Sequence, residues 1–108
     1  MNQTETIKLN DLGSSLGTRD LGAKLKIKAQ EAIANGNIVF FDFSKVDIIS
    51  SAFADELFGK LFIELGEAQF KSKIKLNKFE NQEVGKIILL IINKAITFRK
   101  NQLSDSSA

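Results

Sequence analysis

The sequence predicts an α/β fold: one small domain with a mainly parallel sheet of three to four strands, in the order βαβαβα. Three observations lead there. Short strand-like runs alternate with longer stretches of helical periodicity, the pattern of strand–helix–strand units joined by right-handed crossovers. Ile38–Phe43 is apolar except for Asp42 and is bounded by Gly36-Asn37 and Ser44, as a central strand covered on both faces would be. The 108 residues, 44% hydrophobic and 26% charged, suit one ordinary globule with its own core.

Taken in order, Thr4–Leu9 alternates polar and apolar residues and is expected to be a half-exposed strand. Asp11–Thr18 is a Gly/Ser loop. Arg19–Ala34 follows as a helix: Thr18 is placed to cap it, Asp20 lies near the positive end of its dipole, and Asn35-Gly36 stops it. Leu21, Leu25, Ala29, Ala32 and Ile33 make its apolar face. After the central strand and the loop Ser44–Ser51, a second helix is expected from about Ala52 to Leu65, closed by Gly66. Phe53, Leu57 and Leu61 form one row on it, widened by Ala54, Phe58, Phe62 and Leu65. Lys73–Asn77 alternates again as the third strand. A last helix from about Gln82 to Phe98 carries Val84, Ile87, Ile88, Ile91, Ala95 and Phe98 on one face. Leu89, Leu90 and Ile92 are apolar outside that face, so neighbouring loops or a second subunit must meet them. The domain is drawn at residues 1–101, with 102–108 as a flexible polar tail.

Composition excludes several chemistries. Without cysteine or histidine there is no disulfide framework, no thiolate or imidazole metal site and no histidine-activated nucleophile. We therefore assign no catalytic residue, metal ligand or cofactor. Met1–Leu12 lacks the pattern of an export signal, and the longest apolar run, Ile87–Ile92, is far short of the ~20 residues a membrane helix needs. The expectation is a cytoplasmic protein with no membrane contact. Net charge is +2 but uneven: residues 1–70 hold seven Lys/Arg against ten Asp/Glu, and residues 71–108 hold eight against three.

Residues 38–61, IVFFDFSKVDIISSAFADELFGKL, are the informative segment. Asp42 lies near the carboxyl end of a strand, where its carboxylate can accept from backbone N–H groups of the following turn. Ser50 and Ser51 lie at a helix amino terminus, where unpaired N–H groups favour an acceptor oxygen. The run Asp42-Phe43-Ser44, then Val46, two apolar residues at 48–49 and a Ser-Ser pair resembles the signature of STAS domains, the anti-sigma-factor-antagonist fold. The pattern from Val46 through Ser50-Ser51 to Phe53, Asp55 and Glu56 is similar, more closely still, to the STAS-like domain family of unknown function. That resemblance implies a non-enzymatic bacterial signalling module that binds a protein partner, such as a histidine-kinase-like ATPase. It further implies control by serine phosphorylation. The phospho-acceptor position of the antagonists falls on Ser51, with Ser50 beside it standing where they carry aspartate and Ala52-Phe53 standing where they carry Ser-Gly. Asp42, Ser44 and Val46 are the structural part of the motif, and Asp47, Phe53, Asp55 and Glu56 its partner-binding part.

Each of these residues also has a plain structural reading. Ser51 is a helix N-cap worth about 1 kcal/mol; Asp42 is a satisfied hydrogen-bond acceptor. Asp55, Glu56, Glu64 and Glu67 make an acidic outer face on the second helix, either solvated or used to dock a basic partner. Gly13–Arg19 is an ordinary strand-to-helix turn, because a phosphate-binding loop needs four residues between its glycines and then lysine. Lys71, Lys73 and Lys75 share one strand face and, with Lys78, guard a sheet edge; no nucleic acid is expected. A constitutive adaptor, or a homodimer through the C-terminal helix, is the alternative function.

Overall fold

The computed structural model describes residues 3–13 and 15–106; Ser14 of the Gly/Ser loop, and Ser107 and Ala108 of the tail, lie outside the described residues. Strands β1 (Thr4–Lys8), β3 (Ile38–Asp42) and β5 (Ile74–Asn77) form a parallel sheet with β3 in the centre. Thr4 pairs with Ile38 at one end of the ladder and Asp42 with Asn77 at the other. A separate two-stranded parallel sheet joins β2 (Ser15–Leu16) to β4 (Ile48–Ile49), which ties the Gly/Ser loop to the loop after β3.

Helix α1 (Arg19–Ala34) begins where expected, with the Leu21 N–H donating to the Thr18 hydroxyl at 3.2 Å. The helical run at 51–65 is a chain of three pieces: α2 (Ser51–Ala54), a π-helical turn (Asp55–Gly59) and α3 (Lys60–Leu65). A further helix, α4 (Glu67–Lys73), occupies a stretch without a helical periodicity of apolar residues. It takes Lys71 and Lys73 off the strand, so only Lys75 of the three remains on β5. The last helix, α5 (Gln82–Ser106), runs past Phe98 and past the boundary drawn after residue 101.

One expectation about the central strand is corrected. The sheet order β1–β3–β5 advances in one direction, so right-handed crossovers put both connecting helical stretches on the same face. α5 joins that layer, packing on the 51–65 run, which in turn packs on α1. Val39 and Phe41 therefore point into the core and are fully buried, whereas Phe40 on the other face is half-buried between exposed Thr6 and half-buried Lys75. The apolar run at 38–43 reflects a covered inner face plus a semi-exposed phenylalanine, not two covered faces.

The core gathers on the helical side. Phe41 meets Phe58 edge-on at 5.1 Å, and Phe43, Phe53, Leu57 and Leu61 are fully buried around them. Each such side chain contributes about 1.5–3 kcal/mol of transfer free energy. Phe98, expected on the packed face of α5, is 46% exposed. No helix among the described residues is long and apolar enough to cross a membrane.

Candidate functional site

The site grows from the carboxyl end of β3. Asp42 Oδ1 accepts from the Ser44 hydroxyl at 2.6 Å and from the Ser44 N–H at 2.8 Å. These two bonds, the hydroxyl first, hold its carboxyl below the usual aspartate range, and Lys78 Nζ adds a weaker attraction at 3.7 Å from Oδ2. Asp42 thus fixes the turn Phe43–Val46, which the Val46 N–H closes onto the Phe43 carbonyl at 3.1 Å, with Lys45 in the left-handed region at φ 62°. Val46 is buried beneath the turn. The three motif residues read as structural are placed as a scaffold for the loop that follows.

That loop is held from three sides. β4 pairs with β2, the Asn81 side chain donates to the Asp47 carbonyl at 3.1 Å, and Ser50 is locked. The Ser50 N–H donates to the Leu16 carbonyl, its hydroxyl donates to the Gly17 carbonyl at 2.9 Å, and the same oxygen accepts from the Phe53 N–H at 3.0 Å. Ser50, not Ser51, is therefore the N-cap, because its hydroxyl alone reaches the N–H three residues on. Ser51 is the first residue of the helix, exposed, and its hydroxyl has no partner among the described residues. Asp47 is exposed, as is Ile48, one of the two apolar residues of the motif, 62% accessible.

The acidic face expected on the second helix is largely neutralised. Phe53 and Glu56, both expected to face a partner, point inward: Phe53 is fully buried and Glu56 only 8% exposed. Glu56 accepts from Lys26 and lies against Lys60, each at 2.8 Å, with Arg19 at 3.5 Å; Lys26 first, then Lys60, hold its pKa down to about 2. Asp55 is half-exposed and paired with Arg19 at 2.9 Å, and that bond raises the guanidinium further above its already high value. The cause is a close helix crossing. A Cβ on Gly22 of α1 would sit 2.9 Å from the Phe53 carbonyl and 3.1 Å from Glu56 Cβ, so only glycine lets the two helices approach this far. The π turn has its own small residue: a Cβ on Gly59 would meet Asp55 Oδ1 at 2.9 Å and Ile91 Cγ2 at 3.0 Å. A π turn is a frequent mark of functional helices.

The structure thus leaves Ser51, Asp47 and Ile48 exposed and Asp55 half-exposed in its pair with Arg19, and withdraws Ser50, Phe53 and Glu56 into support. Of the cations that sequence reasoning missed, Lys60 was legible as the i+4 partner of Glu56. Lys26 and Arg19 lie 30 or more residues from their partners and had no local signal.

A family model described as a STAS-like domain of unknown function (DUF4325) matches residues 22–83, well over half of the chain. The match takes in β3, the 43–50 loop and the whole 51–65 run, and stops at the first turn of α5. No curated protein and no solved structure gives a significant match.

Proposed function

The chain belongs to the STAS-like family of unknown function, and from that premise we propose that it is a non-enzymatic regulatory module that binds a protein partner through the exposed patch around Ser51. The partner in this reading is a histidine-kinase-like ATPase or another switch protein of a bacterial cytoplasm, and Ser51 is the residue it modifies. One observation carries the proposal: of two adjacent serines, one is fully used as a cap and tie, and the other is exposed with its hydroxyl unengaged among the described residues. A phosphate on Ser51 would bring close to two negative charges within one helical turn of Asp55, whose only ion-pair partner among the described residues is Arg19. It would add strongly to the negative charge of Asp47 and Asp55 while leaving the fold's supports untouched.

Mass spectrometry of the chain isolated from its native cell tests this. Both serines fall in one peptide between Lys45 and Lys60, and the expected phosphate sits on Ser51 with none on Ser50. Phosphate on Ser50, or an unmodified peptide in every growth condition, contradicts the switch.

A second reading has its own observation. Leu89 and Leu90 on α5 are 60% and 52% exposed, an apolar pair that a constitutive adaptor or α5-mediated homodimer would cover. In that reading light scattering finds a dimer that Leu89→Lys dissociates; a dimer indifferent to Leu89→Lys rules it out.

A further inference from the structure

Three contacts bring Arg19 within a turn of Ser51. The Ser50 hydroxyl donates to the Gly17 carbonyl at 2.9 Å, so the start of α1 lies against the residue before Ser51. The Asp55 N–H donates to the Ser51 carbonyl, which stacks the two residues one turn apart on one side of the helical run. The Arg19 guanidinium stands 2.9 Å from Asp55 Oδ2. Side chains on a helix lean toward its amino terminus. The Asp55 carboxylate, and Arg19 with it, therefore lie over the turn that Ser51 begins.

Arg19 is held loosely there. Its side chain is 54% exposed and that of Asp55 43%, and a pair so open to water contributes little to stability. Glu56, 3.5 Å away, is already met at 2.8 Å by Lys26 and by Lys60. The guanidinium makes one hydrogen bond among the described residues, although its planar fork carries five N–H donors. A phosphoserine would offer that fork nearly twice the charge of Asp55 and three acceptor oxygens.

We propose that Arg19 is the receiver of a phosphoryl group on Ser51: the guanidinium leaves Asp55 and closes its fork on the phosphate oxygens. This rests on Ser51 as the modified residue and adds what the modification does inside the chain. One phosphate then alters two positions of the surface, Ser51 by the group it gains and Asp55 by the cation it loses. Glu56 keeps Lys26 and Lys60, so the helix stays locked to α1 while Arg19 changes partner. The other charged side chains on the segments flanking the serine are acids, Asp20 beside Arg19 and Asp47 in the preceding loop. Like Asp55 and Glu56, they can only oppose the dianion, which leaves Arg19 as the cation able to favour it.

The test installs phosphoserine at position 51 during translation and follows the second ionisation of its phosphate by phosphorus NMR. An unpartnered phosphoserine titrates at about 6. In the phosphorylated wild-type chain the value is expected to be lower by about half a unit or more, because Arg19 favours the dianion. Arg19→Ala is expected to return it to about 6 or above. Arg19→Lys should fall between the two, since an ammonium supplies the charge without the fork. Lys24→Ala removes an equal charge from an exposed position further along α1 and is expected to leave the titration unchanged. Should Arg19→Ala not fold by circular dichroism, Arg19→Gln takes its place. A smaller lowering in the wild-type chain overturns the proposal. So does a value that loss of Arg19 leaves where it was, or an equal rise in Lys24→Ala. Because the phosphate is placed without a kinase, this failure is distinct from that of the modification itself, which shows as an unmodified peptide from the native cell.

Discussion

Ser51 and Glu56 stand little more than one turn apart on the same helical run, in contrasting surroundings. Around Glu56 the molecule brings Lys26, Lys60 and Arg19 against one inward carboxylate and uses Gly22 to press α1 close. Around Ser51 it leaves the hydroxyl, Asp47 and Ile48 at the surface, and gives the capping task to the neighbouring Ser50. A surface can thus be fixed in place by contacts made one turn away from it. The lock one turn further on holds the helix against α1, and Ser50 caps it, so the exposed Ser51 side chain need contribute little to stability.

Substitutions at the lock and at the cap should cost stability, and removal of the Ser51 hydroxyl should not. Glu56→Ala is expected to have the largest effect, about 3 kcal/mol in urea unfolding, because three cations lose a shared partner. The same lock predicts an acid limb. The Glu56 carboxyl is held at about 2 in the folded chain against 4.5 when free, so its contribution is complete above about pH 4.5 and fades as pH falls from there toward 2. Glu56→Gln should flatten the fall in urea midpoint across that window. Gly22→Ala comes next, at about 2 kcal/mol, since the added methyl must push apart two helices in backbone contact. Ser50→Ala should cost about 1 kcal/mol, the worth of a cap. Ser51→Ala should lie within about 0.5 kcal/mol of wild type. A Ser51→Ala as damaging as Ser50→Ala in the same melts would erase the contrast.

Much of the scaffold was legible. The α1 boundaries, the buried stripe of the second helix and the Asp42–Ser44 turn all rest on local rules: capping, periodicity and side-chain-to-backbone bonding over two residues. What the sequence withheld depends on distant parts meeting. The bare sheet face follows from strand order, which no local pattern at Phe40 encodes. Glu56 looked like part of an outer acidic face because its charge was visible while Lys26 and the close approach at Gly22 were not. The pair Ser50-Ser51 gave two capping candidates. Only the pairing of β4 with β2, which sets Ser50 against the Leu16 and Gly17 carbonyls, decides between them.

In the proposed function the Ser51 patch is a contact surface whose charge governs binding. Isothermal titration of the partner recovered with the wild-type chain, against wild type and Ser51→Asp, tests it most directly. At least a tenfold loss of affinity is expected for Ser51→Asp, about 1.4 kcal/mol, with a melting temperature close to that of wild type. Equal affinity for the two chains would contradict it.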